Sequence, residues 1–386
     1  MIHTTTWREI KSGTVTDIYF ERTKKILEAK GLDPHVRAEF VAKGLPRGWP
    51  WAVLAGVEES AEVVKDLPIE VRMMKEGTLF SPHQPVMEIS GTYLSFGRYE
   101  TTLLGLICQA SGIATMAARC KKAAGNREVI SFGARRMHPT IAPLIERNAY
   151  IGGCDGVSVG LGAELIGKEP VGTMPHALIL IMGDTVAATK AFDEVIEPRV
   201  RRVSLIDTFN DEKIEALNVA EELGNRLHAV RLDTPVSRRG DFLELMKEVR
   251  WELDLRGHTE VKIFLSGGLD EMDIERYNPV ADAYGVGTAI SNAPVIDFSM
   301  DIVEIEGKPL AKRGKMSGSK AVFRCARCGA TRVSPARQKP GMCACGGAEE
   351  DILVPFISQG ELQYALPTAS RIRDFVLEQL NKIELS

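Results

Sequence analysis

From about residue 125 the chain falls into a rhythm that narrows its possible folds: short runs of β-branched and apolar residues alternate with helical stretches. The strand candidates are EVISF (128–132), CDGVSV (154–159), RVSLID (202–207), LHAVRLD (227–233), EVKIFLS (260–266) and DAYGV (282–286). Helical candidates such as DEKIEALNVAEELG, acidic near its start and closed by glycine, lie between them. Repeated β–α units of this kind imply a parallel sheet, open or closed into a barrel. The first third is different, mixing helix and strand without strict alternation. ERTKKILEAKGL reads as a helix stopped by Gly31, and the segment from Pro85 reads as a strand, a turn at Gly91 and a long amphipathic helix.

In a parallel sheet all strands end on one face, where active sites are built. EVISF runs into Gly133, Arg135 and Arg136, and RVSLI leads to Asp207. HAVRL leads to Asp233, KIFL to Ser266-Gly267-Gly268, and the turn YGVGT carries Gly285, Gly287 and Thr288. Arginines, aspartates and glycine turns therefore converge on one mouth, a composition suited to an anionic, phosphorylated ligand bound with a divalent cation.

Each feature has a plainer alternative. The two glycine-rich turns are tight turns or a phosphate cradle, since small residues leave backbone N–H groups open to phosphate oxygens. Arg135 and Arg136 are a solvated pair or an anion fork. Asp207 and Asp233 are turn aspartates or partners of a metal and pyrophosphate, with Arg231 just before the second. His176, in GTMPHAL, is a helix-start residue or a catalyst.

Composition bounds the rest. The net charge of −4 over 386 residues excludes a general polyanion binder, and the absence of a charged-then-apolar leader or a long apolar run predicts a cytoplasmic protein without a membrane partner. Four of the seven cysteines fall in CARCGATRVSPARQKPGMCACGG. Cys325, Cys328, Cys343 and Cys345 are spaced as C-x2-C and C-x-C, the pattern of a closed structural zinc site. The segment from Gly307 to Ala348 holds ten Lys or Arg and no acidic residue, which predicts a local basic patch. A zinc-ribbon nucleic-acid-binding protein is therefore a competing reading. It calls for aromatic residues among the basic ones, and 324–347 contains none, so no nucleic-acid partner is expected.

The strand-end motifs, in this order, resemble nicotinate phosphoribosyltransferases. GTVTDIYFERT is similar to the family's Thr-Asp-x-Tyr segment, and SFGARRMHP to its Phe-Gly-x-Arg-Arg motif. GTMPHAL resembles the segment with the family's phosphorylatable histidine; LIDTFNDEKIEAL, AVRLDTP, FLSGGLD and YGVGT follow, and KRGKMSGSK resembles its lysine–serine run. The resemblance implies an α/β fold with an N-terminal α/β sandwich domain, an incomplete parallel α/β barrel and, here, a small C-terminal zinc-knuckle lobe. The corresponding boundaries are 1–120 for the sandwich, completed by C-terminal segments, 121–295 for the barrel and 296–386 for the rest, with the knuckle at 325–345.

It also implies a reaction: nicotinate and 5-phosphoribosyl 1-pyrophosphate give nicotinate mononucleotide and pyrophosphate, with Mg²⁺ and coupled ATP hydrolysis through a phosphohistidine at His176. The family forms homodimers that share active sites, so Tyr19 would stack on the pyridine ring of the neighbouring site with Asp17 nearby. Phe132 would flank that ring, and Arg135 and Arg136 would face the substrate's anionic groups. Asp207, Arg231 and Asp233 would surround ribose, pyrophosphate and Mg²⁺, Gly267, Gly268, Gly287 and Thr288 would cradle the 5′-phosphate, and Thr173, Ser266 and Gly285 would belong to the same substrate site. Asp155 departs from the pattern. It stands where many nicotinate enzymes carry serine and nicotinamide enzymes an aspartate, which keeps nicotinamide or quinolinate phosphoribosyl transfer as the alternative.

Overall fold

The computed structural model describes residues 3–385. Within residues 116–292 the β–α rhythm builds a six-stranded parallel sheet. Its strands are β1 (Glu128–Ser131), β2 (Gly156–Val157), β3 (Arg202–Leu205), β4 (Leu227–Leu232), β5 (Lys262–Ser266) and β6 (Ala283–Val286). Their order is β2-β1-β6-β5-β4-β3, every neighbour parallel, and the sheet curls as an open half-barrel. Ile130, Val203, Ala229 and Phe264 form a buried cluster, with Phe132 and Ala283 packed on it. The helices after β3, β4 and β5 start on aspartates. Asp211, Asp241 and Asp270 each accept backbone N–H groups of the first turn of Glu212–Leu223, Phe242–Leu255 and Glu271–Tyr277. Such caps stabilise a helix by roughly 1 kcal/mol each and fix where the mouth loops end.

The candidate strand CDGVSV shortens to the two residues of β2 for a specific reason. The Ser158 N–H, next in line for the ladder, donates to the buried Glu146 carboxylate at 3.0 Å instead.

Residues up to Thr115, with those from Ala293 onward, form the other unit. Its antiparallel sheet runs Lys308–Pro309, Phe298–Ile305, His35–Ala42, Pro85–Thr92, Glu70–Met73, Val354–Ser358 and Glu361–Leu362. Gly91 is not a turn. It lies inside Pro85–Thr92, and a Cβ there would meet Ile69 Cγ2 at 2.9 Å, so the glycine permits close packing. The helix Glu100–Ala124 follows. By length and composition the segment Tyr93–Ala124 is apolar enough to cross a bilayer, contrary to the sequence expectation, because scattered Thr, Ser and Gly conceal the run. Its most apolar stretch is 67% buried within the protein, as for a core helix.

The sheet register sets Asp301 opposite Glu39, and Glu39 opposite Glu88. Like charges so placed repel, and the KRGKMSGSK run offsets them. Lys320 Nζ reaches Glu39 Oε2 at 2.7 Å, Ser319 Oγ donates to Glu88 Oε2 at 2.7 Å, and both Lys312 and Lys315 pair with Asp301. Burial pushes the Glu39 carboxyl up. At Asp301 burial acts the same way, but hydrogen bonds from Lys312 and Lys315 outweigh it and hold the carboxyl down. The expected basic patch is thus partly matched by carboxylates. These three lysines are spent on the sheet, and Arg332 pairs with Glu349.

Candidate active site at the mouth of the half-barrel

Arg231, near the end of β4, is the hub. Its Nε donates to Ser266 Oγ at 2.8 Å, Nη1 to Thr173 Oγ1 at 2.7 Å and Nη2 to Asp233 Oδ2 at 3.3 Å. Ser266 Oγ in turn donates to Asp233 Oδ1 at 2.9 Å, which closes a network across β4 and β5. The guanidinium sits over the Phe132 ring, 5.1 Å from its centroid. Burial pulls the Arg231 pKa down, and Arg135 lies close enough to push it the same way. Arg135 and Arg136 themselves are exposed on the turn Ala134–Arg136. A buried guanidinium with a second one nearby is a ready site for a multivalent anion.

His176 opens the helix His176–Met182, and its Nε2 lies 3.1 Å from Asp207 Oδ1. The imidazole is 40% exposed while the Asp207 side chain is only 2% exposed. Burial raises the Asp207 pKa; His176 opposes the shift and Asp233 reinforces it. A buried carboxylate that fixes one ring nitrogen leaves the other available as a nucleophile.

Gly267 and Gly268 adopt φ of +94° and +72°, a turn that other residues enter only with strain. A Cβ at Gly267 would lie 2.9 Å from Asp233 Oδ1. Thr288 begins the short helix Thr288–Ser291 behind Gly287. Gly285 is placed differently from Gly267 and Gly268. It lies within β6, and a Cβ there would be 2.5 Å from Phe132 Cδ2 and Cε2. Its role is to admit the Phe132 ring. Gly133, the glycine of the Phe-Gly-x-Arg-Arg motif, has a packing reason too: a Cβ there would be 2.3 Å from the Gly287 carbonyl oxygen, so the β1 and β6 ends approach only through that glycine. Glu146 and Arg239 carry no sequence signal of this kind; neither falls in a recognisable motif.

Asp155 is not brought to the mouth. It precedes β2, and its Oδ2 accepts from Lys121 Nζ at 2.8 Å and from the Val129 N–H at 2.9 Å, near the start of β1. Asp17 and Tyr19 belong to the other unit. Asp17 precedes the helix Ile18–Lys30 and accepts from Thr101 Oγ1 at 2.7 Å, and Tyr19 is 55% exposed beside Ile18 at 60%.

The four cysteine sulfurs all lie within 4.8 Å of one another, Cys325 to Cys345 at 3.4 Å and Cys328 to Cys343 at 3.7 Å. A tetrahedral zinc with Zn–S bonds near 2.3 Å separates its sulfurs by about 3.8 Å, so the set fits a metal. The Cys328 N–H, and then that of Arg327, lowers the Cys325 pKa to about 6. A Cβ at Gly347 would lie 2.6 Å from Cys325 Sγ, which explains that glycine.

A parallel half-barrel with arginines, carboxylates and glycine turns at its mouth is an arrangement suited to an enzyme acting on an anionic, phosphorylated ligand. Residues 17–111 match the N-terminal domain of quinolinate phosphoribosyl transferase and residues 113–301 match its C-terminal domain. The chain belongs to the nicotinate/quinolinate phosphoribosyltransferase family. It is 33% identical over 328 residues to a nicotinate phosphoribosyltransferase of Mycobacterium tuberculosis, covering 80% of this chain and 67% of that one. A solved structure described as nicotinate-nucleotide pyrophosphorylase from Pyrococcus furiosus is 54% identical, with a TM-score of 0.97 over 99% of this chain and 98% of that one. The human nicotinic acid phosphoribosyltransferase shares the fold, with a TM-score of 0.74 at 20% identity over 96% of this chain and 94% of that one.

Proposed function

We propose that the protein is a nicotinate phosphoribosyltransferase of NAD salvage, forming nicotinate mononucleotide and pyrophosphate from nicotinate and 5-phosphoribosyl 1-pyrophosphate, with ATP hydrolysis coupled through His176. The observation that carries this reading is the His176–Asp207 pair, 3.1 Å apart at the same mouth as the Arg231–Asp233–Ser266 network. The family relation and the names of the relatives support it.

The nicotinate ring nitrogen attacks C1 of the ribose with its lone pair, and the C1–O bonding pair leaves with pyrophosphate. No proton has to be removed from that nitrogen, so the work is positioning and charge stabilisation. Arg231, held flat by Ser266, Thr173 and Asp233, meets the charge growing on the leaving group, and Arg135 lies close enough to share it. Asp207 and Asp233 are the carboxylates that would hold Mg²⁺ together with the substrate's phosphates, where the ion neutralises charge. With Nε2 turned to Asp207, His176 offers Nδ1 to the γ-phosphorus of ATP; the P–N bond forms as ADP leaves. The four thiolates of Cys325, Cys328, Cys343 and Cys345 would hold a structural Zn²⁺, which would tie the lobe together without supplying chemistry to the mouth. The exposed Ile18 and Tyr19 suit a homodimer in which they complete the neighbouring site.

Nicotinate is favoured over nicotinamide because Asp155 is occupied by Lys121 and a backbone N–H rather than offered to an amide. Incubation with 5-phosphoribosyl 1-pyrophosphate and each of nicotinate, nicotinamide and quinolinate, with and without ATP, tests the reading. Nicotinate should be converted and ATP should stimulate it; turnover of nicotinamide or quinolinate alone would refute the assignment.

A further inference from the structure

We propose that Arg239, on the loop between β4 and Phe242–Leu255, is a positioning residue that sets the shape of the Gly267–Gly268 turn for a phosphate or diphosphate group. The inference rests on the phosphoribosyl-transfer reading of this mouth.

The loop leaves β4 through Asp233 and Thr234, makes one short turn at Val236–Arg238 and reaches the cap residue Asp241. Arg239 closes it. Its Nε donates to the Thr234 carbonyl at 2.5 Å, and its Nη2 donates to the Gly267 carbonyl. The guanidinium carbon lies 4.5 Å from the centroid of the Phe242 ring, so packing as well as hydrogen bonds fixes the plane of the group. One planar fork thus joins the loop after β4 to the turn after β5. A lysine cannot do this, because its single nitrogen lacks the spaced, coplanar donors that reach two carbonyls at once.

The consequence for the turn follows from peptide geometry. In a trans peptide the carbonyl of one residue and the N–H of the next point in opposite directions. Holding the Gly267 carbonyl against Arg239 therefore fixes the Gly268 N–H to point away from it. Two consecutive glycines at positive φ have a broad conformational choice, and without such a tether the turn would sample other peptide orientations. The space is tight as well: a Cβ at Gly267 would lie 2.9 Å from Arg239 Nη2 and 2.9 Å from Asp233 Oδ1. The same glycine therefore admits both the arginine and the aspartate of the Arg231 network.

Charge points the same way. Two of the five guanidinium N–H groups are spent on neutral carbonyls, and the charge also acts on the Asp273 carboxyl, with which no direct ion pair forms among the described residues. Arg238, its neighbour, has no side-chain partner among the described residues and provides a control in the same loop.

The experiment compares wild type, Arg239→Gln, Arg239→Lys and Arg238→Gln. Kinetics are measured with each substrate varied, and binding of inorganic pyrophosphate is measured by calorimetry. Loss of an ordered, charge-assisted contact at the phosphate turn predicts that Arg239→Gln raises the KM for 5-phosphoribosyl 1-pyrophosphate and the pyrophosphate Kd by about tenfold, with the nicotinate KM within twofold. Arg239→Lys should recover less than half of that loss on a logarithmic scale, and Arg238→Gln should match wild type. Unchanged pyrophosphate affinity in Arg239→Gln would overturn the proposal, as would full recovery by lysine, which would make the role one of charge alone. A fold loss in Arg239→Gln, seen by circular dichroism, leaves Arg239→Lys to decide by the same criteria. The functional reading fails separately: wild type would then form no nicotinate mononucleotide, while pyrophosphate affinity would still weaken in Arg239→Gln.

Discussion

Replacing Gly285 by alanine tests whether that residue shapes the site through packing. The new Cβ would stand 2.5 Å from two atoms of the Phe132 ring and 3.3 Å from Ser266 Cβ. Carbon atoms rest comfortably at about 3.5 Å or more, so the ring must retreat by about 1 Å. It has little room, because Phe264 packs edge-on with a centroid separation of 5.8 Å and the Arg231 guanidinium covers the ring. Overpacking of this kind costs roughly 1–3 kcal/mol. At about 2 kcal/mol the Tm would fall by roughly 4–8 °C for a cooperative unit of this size. The ring carries Arg231 with it, and a displacement near 1 Å at a positioning group lowers catalysis by about a hundredfold. Thermal melting and steady-state kinetics provide the assay. The predicted signature is a lower Tm and a kcat reduced whichever substrate is varied. If Gly285→Ala melts like wild type and only the KM for 5-phosphoribosyl 1-pyrophosphate rises, Gly285 is a phosphate contact and the packing argument is wrong.

Asp155→Asn should lower stability by about 1–3 kcal/mol, because it leaves the largely buried Lys121 ammonium without its counter-charge, while the ratio of nicotinate to nicotinamide turnover stays unchanged. A switch toward nicotinamide, or toward neither substrate, would show that Asp155 does reach the ring. Glu146 gives a pH signature. Burial raises its pKa to about 7, against 4.5 for the free group, so between those values the folded state holds a proton that the unfolded state has lost. Stability from this group is therefore greatest below about pH 4.5 and declines as pH rises toward 7, by about 3 kcal/mol in all. Glu146→Gln should remove that slope and be relatively more stable at pH 8, as read from denaturant midpoints across the range. An unchanged slope would place its origin elsewhere.

The parallel half-barrel was legible because its strands carry a local pattern, apolar residues and then a polar or glycine end, and β3, β4 and β5 each lead to an aspartate-capped helix. The cysteine cluster was legible for the same reason, its ligands lying within 21 residues of sequence. What stayed hidden depends on pairing between distant segments. Lys320 looks like part of a free basic run until the fold sets it against Glu39, 281 positions earlier. Gly285 and Gly268 look alike in sequence. One is bare because a phenylalanine from another strand fills the space, the other because its φ is positive. Asp155 lies near one end of a strand candidate like the mouth aspartates do, and only the strand direction shows that it precedes its strand instead of following it. Arg239 belongs to no periodic pattern, and its importance comes from a carbonyl 28 residues away.

The central claim is that His176, oriented by Asp207, couples ATP to phosphoribosyl transfer, and trapping the phosphorylated enzyme tests it most directly. Wild type incubated with γ-labelled ATP should acquire acid-labile, base-stable phosphate, and peptide mapping should place it on His176. Nicotinate and 5-phosphoribosyl 1-pyrophosphate together should discharge it. Asp207→Asn should reduce the labelling at least tenfold through loss of the orienting carboxylate, and His176→Ala should abolish it while slow ATP-independent transfer persists. Equal labelling and equal ATP stimulation in wild type and His176→Ala would contradict the account.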